Sequence, residues 1–423
     1  MLYDILVIGA GAAGMMAATK AARAGCSVAV LERNPFCGKK INITGKGRCN
    51  LTNNRTWDEF ARHVHPSANF LRPAFYSFSN KDVVSFFEEA GLKTVVTQGG
   101  RIYPESMRAA DVSRTLVKCM EQAGVEILCG REVISVCREG DIFRCNYIED
   151  GGRRMDSGSI EALSVIVTTG GLSYPTTGST GRGYDIAESF DLHLEPLFPS
   201  LTALMPWQYD TALSGIDLEN VGLTLVVDRT PVQFETGDLS FTDNGIEGAL
   251  GFRVSRRAVK ALLAGQKVFL ELDLKPALSV EQLKARIGRE MEAMQIDPGR
   301  VGQLLMRQLL ARLMPRALIV PFIAANPGLS VDSLPAALKL WRFKIHSFTG
   351  YERAVVTAGG VSQKDVIAKT LCARNVPGLY FAGEVLDLDG DTGGYNLQIA
   401  FSTGSLAGES AAQRILKQRA SSE

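Results

Sequence analysis

Asp4-Ile5-Leu6-Val7-Ile8-Gly9-Ala10-Gly11-Ala12-Ala13-Gly14 is the stretch on which the reading of this chain turns. Its apolar run, stopped by glycine, reads as a strand buried on both faces of a parallel sheet, and residues 15–24 read as the helix that follows. Each glycine of the Gly-x-Gly-x-x-Gly spacing has a physical task. Gly9 permits a tight turn, Gly11 lets backbone N–H groups approach a pyrophosphate, and Gly14 lets the helix pack closely on the strand. The helix then turns its positive N-terminal end toward the phosphates. Such a turn alone is weak, because glycine-rich turns recur by chance. The residues after it decide: Gly25 sits where a helix ends, residues 27–31 favour a strand, and Glu32 closes that run. A carboxylate there accepts hydrogen bonds from a ribose 2′-hydroxyl and repels a 2′-phosphate.

Working outward, the 423 residues exceed what one hydrophobic core usually supports, so two or more domains are expected. The 46 Lys and Arg nearly cancel the 45 Asp and Glu, which gives no reason to expect a nucleic-acid or membrane partner. The N-terminus runs straight into the first strand without a basic leader, and no apolar run is long enough to span a bilayer. A cytoplasmic protein is the expectation. The 8 cysteines form no CxxC pair and no metal-ligand spacing, so no metal site is expected and most read as packed thiols.

Residues 37–53 are dense in glycine, cations and amides, too polar for a core element. Placed directly after a dinucleotide-binding turn, this loop could bring Lys40, Arg48 and backbone amides to a pyrophosphate or to the rim of a flavin ring. Residues 60–91 read as largely helical, 94–96 with 101–104 as a short hairpin, 111–123 as a helix and 125–129 as a strand. Residues 132–136, 143–147 and 159–162 read as a meander of short strands. Residues 164–168 read as a separate buried strand ended by Thr169-Gly170-Gly171, and 172–184 as an ordered loop before a helix at 185–190.

A shift in composition near Pro196 opens an inserted domain over 196–350, with a β part at about 196–275 and 320–350 and a helical part at about 276–319. Residues 351–423 return to the domain begun by 1–195. There 354–361 reads as a strand with a glycine kink and 378–384 as a buried strand ended by glycine and Glu384. Residues 390–398 then precede an Ala/Ser-rich helix, whose N-terminus could stabilise an anionic reduced flavin while Glu384 accepts from a ribityl hydroxyl.

Three separated segments agree with one another: the N-terminal motif with Glu32, the strand end Val167-Thr168-Thr169-Gly170-Gly171, and Leu379-Tyr380-Phe381-Ala382-Gly383-Glu384. Together they resemble the two-dinucleotide-fold flavoproteins of the glutathione-reductase-like FAD type. The run from Lys39 to Asn53, with Gly383-Glu384-Val385-Leu386-Asp387 and Gly393-Gly394-Tyr395-Asn396-Leu397-Gln398, narrows the resemblance. It is to the bacterial NAD(P)/FAD-dependent oxidoreductase family that includes aminoacetone oxidase and bile-acid-reductase-like members. The resemblance spans nearly the whole chain, strongly in the FAD domain and weakly in the insert.

It implies an α/β fold in which a Rossmann-like FAD-binding domain, a parallel sheet with a β meander, carries an inserted mixed β and helical domain. It also implies tightly held FAD. The candidate cofactor-binding residues are Gly9, Gly11, Ala13, Gly14, Glu32, Arg33, Lys40, Gly45, Gly47, Arg48, Asn50, Val133, Thr169, Gly170, Gly383, Glu384, Gly394, Asn396 and Leu397. In the insert, many members carry Thr-His and Ser-Gly-Pro where this chain has Thr242-Asp243 and Glu247-Gly248-Ala249, so no one member's substrate carries over.

The expected function is hydride transfer between FAD and a small organic substrate, of an amine-oxidase or ene-reductase type. An RNA-modifying flavoprotein and a flavin-binding sensor or scaffold without turnover are the alternatives. Neutral net charge and the lack of a basic stripe with interleaved aromatics count against RNA. No second complete Gly-x-Gly-x-x-Gly is visible, so a resident NAD(P)H site is not expected, and oxygen or a transient donor such as NAD(P)H completes the cycle instead. The oligomeric state is left open. His346, expected just before the strand re-entering the FAD domain, and Cys49, whose pKa the neighbouring Arg48 could lower, are the candidate catalytic residues. A structural histidine and a packed thiol are the plainer readings of both. The whole scheme requires Glu32, Gly170 and Asn396 to line one cleft.

Overall fold

Residues 3–8 of the first strand are all buried, which is why the run is apolar at every position rather than at alternate ones. The computed structural model describes residues 2–150, 155–297 and 301–422. Within it the chain divides into two units, Met1–Phe198 with Tyr351–Glu423, and Pro199–Gly350.

The first unit is built on β1 (Leu2–Ile8), α1 (Ala12–Arg23), β2 (Val28–Glu32), α2 (Lys39–Ile43), β3 (Glu126–Cys129), β4 (Arg131–Glu139), β5 (Ile142–Asp150), β6 (Met155–Val167) and α3 (Arg182–Ser189). Its 7-stranded sheet has the order β3-β2-β1-β6-β5-β4, with Leu379–Phe381 beside β6. β1, β2, β3, the end of β6 and Leu379–Phe381 run parallel. The C-terminal helix Tyr395–Ser422 lies directly on α1. A Cβ at Gly404 would stand 2.3 Å from the Ala13 carbonyl oxygen, and one at Gly408 2.3 Å from that of Ala17, so only glycine allows this approach.

Two readings of local structure change. Residues 159–162 and 164–168 do not form separate strands: β6 is continuous, antiparallel to β5 over Met155 to Ala162 and parallel to β1 from Glu161 onward. No turn residue interrupts it. Its half-exposed first part becomes fully buried where it enters the parallel sheet, and this change in burial imitates a boundary. The loop at 37–53 also contains α2, followed by three successive residues of positive φ, Gly45, Lys46 and Gly47.

In the second unit β7 (Leu204–Pro206), β8 (Ile216–Val227), β9 (Thr230–Thr242), β10 (Gly245–Glu247), β11 (Val268–Asp273) and β12 (Trp341–Phe348) close a barrel in the order β7-β10-β9-β8-β11-β12. A helix absent from the sequence reading, α4 (Gly248–Leu263), packs on β9 and buries Leu250, Val254, Ala258 and Ala261. The helical part reaches beyond 319: Val280–Ala293 and Gln303–Leu313 are followed by Ile319–Ala325 and Leu334–Lys339. Pro321 and Pro335 occupy first turns of these short helices, where a missing N–H costs little, yet in sequence they look like breakers. Residues 298–300 of the expected helical stretch lie outside the described residues. Among the described residues no helix is long and apolar enough to cross a membrane.

Candidate functional site

At the end of β1 the chain turns at Gly9, with φ +97°. A Cβ on Gly14 would stand 1.9 Å from the Gly9 carbonyl oxygen and 2.5 Å from Thr168 Oγ1, so α1 can begin here only with glycine. Gly11 is different: a Cβ there meets nothing within 4 Å, because the position opens into a cleft. The first-turn N–H groups of α1 have no carbonyl partner within the helix and carry its partial positive charge.

The Glu32 carboxylate lies beneath this turn. Its Oε2 accepts from the Ala10 N–H at 2.7 Å, and its Oε1 accepts from the Asn34 N–H at 2.8 Å and from Asn34 Nδ2 at 2.6 Å. These bonds fix the carboxylate while leaving acceptor capacity toward the cleft. Asn34 Nδ2 also donates to the Thr177 carbonyl at 2.9 Å, and Arg33 donates to Thr180 Oγ1 at 2.8 Å, which ties the turn to the loop at 172–184.

Further along, Lys40 Nζ pairs with Glu384 Oε2 at 2.6 Å. Glu384 Oε1 accepts from Ser173 Oγ at 2.5 Å and from the Thr357 N–H at 2.9 Å. Asn396, in the first turn of Tyr395–Ser422, grips the backbone of Gly390, accepting from its N–H at 2.8 Å and donating to its carbonyl at 2.7 Å. Beside it Asp391 receives His63 Nδ1 at 2.8 Å and His65 Nε2 at 3.1 Å. Burial alone would raise the Asp391 pKa, but the bonds to His63 and His65 outweigh it and hold the carboxyl below its ordinary value.

These elements bound one cleft. Glu32, Gly170 and Asn396 all line it, as do Gly9, Gly11, Ala13, Arg33, Lys40, Val133, Thr169, Gly383, Glu384 and Leu397. Gly14, Gly45, Gly47, Arg48, Asn50 and Gly394 are not among the lining residues. Gly14 sits behind the turn. Asn50, with its amide oriented to satisfy its neighbours, donates to the Thr52 and Ile102 carbonyls and accepts from the Gly394 N–H at 3.0 Å, so it supports the wall. Arg48 turns away to the Gly45 carbonyl and to the Tyr103 ring.

Cys49 corrects an expectation. It is fully buried, and that burial pushes its thiol up to about 12 in spite of an opposing hydrogen bond with Thr44. An Arg48 guanidinium engaged elsewhere supplies no activation. His346 stands within β12 of the second unit, ahead in sequence of the strand Val356–Val361 of the first, and is exposed, with Nδ1 donating to the Met205 carbonyl at 3.1 Å.

Other lining residues escaped the sequence reading: Asn34, Lys39, Thr44, Arg131, Glu132, Thr177 to Thr180, and Arg182. The run Thr177-Gly178-Ser179-Thr180-Gly181 was the available signal, a second Gly/Ser/Thr-rich loop just ahead of a helix. Arg182 lines the cleft, and among the described residues its buried Nε has no hydrogen-bond partner. A donor left in that state calls for an acceptor from a ligand. The open space at Gly11, the fixed Glu32 carboxylate and the orphaned Arg182 Nε fit an FAD laid along the cleft. Glu32 would hold the ribose, the start of α1 the phosphates, and Lys40 with Glu384 and the start of Tyr395–Ser422 the flavin half.

The sequence profile described as "HI0933-like protein Rossmann domain" matches residues 3–410. The chain is 32% identical over 418 residues to the 3-dehydro-bile acid delta(4,6)-reductase of Clostridium scindens, covering 96% of this chain and 98% of that one. It is 31% identical over 414 residues to the ribosomal RNA dihydrouridine synthase of Haemophilus influenzae, covering 94% and 96%. In fold it is similar to the 3-ketosteroid-delta4-(5alpha)-dehydrogenase of Rhodococcus jostii RHA1, with TM-score 0.51 and 16% identity over 97% of each chain. A profile matched from the first strand into the last helix, together with that 32% identity, shows that the chain belongs to the HI0933-like Rossmann family, a family of FAD-dependent oxidoreductases.

Proposed function

We propose that this protein is an FAD-dependent reductase that saturates a carbon–carbon double bond conjugated with a carbonyl group. The observation that carries the FAD half is the single cleft lined by Glu32, Gly170 and Asn396 from three distant parts of the chain. The acceptor half draws on two relatives. A 3-dehydro-bile acid delta(4,6)-reductase and a dihydrouridine synthase differ in substrate, but both names describe removal of a double bond conjugated with a carbonyl.

Bound FAD would supply the hydride chemistry. Tyr395–Ser422 would turn its positive end toward the pyrimidine side of the flavin, where negative charge gathers on reduction, and Asn396 would hold that helix start against Gly390. Lys40 and Glu384 would fix the ribityl side. NAD(P)H serves as a transient donor in this reading.

Photoreducing the holoenzyme without oxygen and mixing it with a 3-oxo-Δ4 steroid or a uridine-containing oligoribonucleotide tests the proposal. Reoxidation of the flavin with formation of the saturated product is expected from at least one acceptor. Oxidation by neither, with turnover of a primary amine instead, would place the protein among the amine oxidases; inertness toward all three would leave a flavin-binding scaffold.

The second reading, reduction of uridine within RNA, is favoured by the Haemophilus influenzae relative, whose identity to this chain nearly equals that of the bile-acid reductase. The two readings share one flavin chemistry and differ only in what delivers the double bond.

A further inference from the structure

We propose that the outward face of the barrel sheet in the second unit is a docking surface for single-stranded RNA; the proposal rests on the second reading above. In sequence the relevant residues are scattered over 207–346, and no stripe is visible. Strand register brings them together. Phe234 on β9 pairs with Thr224 on β8, Thr224 with Glu271 on β11, and Glu271 with Arg342 on β12, which forms one row across four strands. In the next outward row Phe269 pairs with Lys344. Along β12 the alternation is strict, with Trp341, Phe343 and Ile345 buried in the barrel and Arg342, Lys344 and His346 exposed.

Aromatic rings lie beside Arg342 and Lys344. Trp207, 56% exposed, donates its backbone N–H to the Lys344 carbonyl at 2.7 Å. Lys344 Nζ lies 5.5 Å from the Trp207 ring centre, and the His346 ring meets that ring edge-on at 5.4 Å. Arg342 lies over Phe269 at 4.9 Å, and Phe234 is 60% exposed. The face therefore holds three rings and three basic side chains and spans about 14 Å across its four strands, enough for a few nucleotides.

Of the charged side chains of these two rows, Lys344 is the one without an opposite charge paired to it among the described residues. Glu271 is paired with Arg342 at 2.6 Å and Asp273 with Lys339 at 2.5 Å. Among the described residues Lys344 and His346 have no acidic partner. The exposed Trp207 and Phe234 rings and the unpaired Lys344 suit an unpaired polynucleotide, whose bases stack on the rings while a phosphate meets the lysine. A duplex keeps its bases stacked inside and cannot use the rings, and a lipid interface, which would also take exposed aromatic rings beside a lysine, is the competing occupant that the vesicle arm of the test excludes.

The test is a fluorescence-anisotropy titration of the FAD-loaded protein with a labelled dodecauridylate, its duplex with oligoadenylate, and vesicles containing phosphatidylglycerol. Single-stranded binding is expected to weaken roughly 5- to 100-fold in Trp207→Ala. Lys344→Glu should weaken it too and lower the salt slope by about 1. Both variants should keep the flavin spectrum and the melting temperature of the parent. Absence of single-stranded binding, equal affinity for duplex or vesicles, or binding untouched by both substitutions would each overturn the proposal. Mass spectrometry of the RNA separates it from the reaction it rests on. If uridine is saturated while both variants bind as the parent does, the surface falls and the reaction stands. If the variants lose RNA but no uridine is ever saturated, the surface stands and the RNA reading of the reaction falls.

Discussion

Lys40 and Glu384, separated by 344 positions in the sequence, are joined by an ion pair of 2.6 Å on the wall of the cleft. The pair fastens the loop after β2 to the strand end supplied by the returning chain, and Ser173 and Thr357 complete the bonding of the carboxylate. Glu384→Gln keeps the shape and removes the charge, leaving Lys40 without its partner. FAD affinity, measured by fluorescence titration of the apoprotein, should fall about 10- to 100-fold. Lys40→Met should cost less, since Ser173 and Thr357 still serve Glu384. Equal affinity in both variants and the parent would separate the pair from the cofactor.

Gly11 and Gly14, three positions apart, should respond in opposite ways to alanine. At Gly14 the added carbon would meet the Gly9 carbonyl at 1.9 Å, so α1 must shift. A loss of about 3 kcal/mol or more is expected, seen as poor expression or a much lowered melting temperature. At Gly11 the carbon enters open space, so the apoprotein should melt as the parent does while FAD binding weakens. Parallel behaviour of the two variants in both measurements would contradict the geometry.

Cys49 is buried, with its thiol pushed up to about 12, so it should neither react nor carry electrons. Iodoacetamide at pH 8 should leave it unlabelled in the native protein, as peptide mass mapping would show. Cys49→Ser should lower stability by about 1–2 kcal/mol through burial of a hydroxyl, with flavin reduction rates unchanged. A slowed reduction would restore its redox role.

Asp391 gives stability a defined pH dependence. Its folded-state pKa is depressed by the bonds to His63 and His65, so the folded protein holds this proton less readily than the unfolded chain does. The resulting stability is present above the unfolded value, near pH 4, and is lost as the pH falls through the lower folded value. Asp391→Asn should therefore melt below the parent at pH 7, by about 1–3 kcal/mol, and the difference should shrink below pH 4. A constant difference from pH 7 to pH 3 would show that the carboxylate does not titrate in this way.

What the sequence determined by itself is local. The Gly-x-Gly-x-x-Gly turn, the buried parallel strand before it and Glu32 at the end of β2 follow from spacing and burial within thirty or so residues, because a phosphate-binding turn needs its glycines and its helix in immediate succession. The second Gly/Ser/Thr loop at 177–181 carried a comparable signal, but no single residue in it does chemistry alone, and Arg182 became notable only once its Nε was found buried without a partner.

Tertiary structure decided everything that joins distant parts. Arg48 and Cys49, promising as neighbours in sequence, do not line the cleft, whereas Lys40 finds Glu384 from the far end of the chain. The insert was least legible: the short proline-containing helices lack the long periods that identify a helix, whereas α4 carries that period in Leu250, Val254, Ala258 and Ala261 and was passed over. A row such as Phe234, Thr224, Glu271 and Arg342 exists only after strand register is fixed. Register is a property of pairing between strands, and pairing is set by which faces must be buried together, a constraint that no single segment contains.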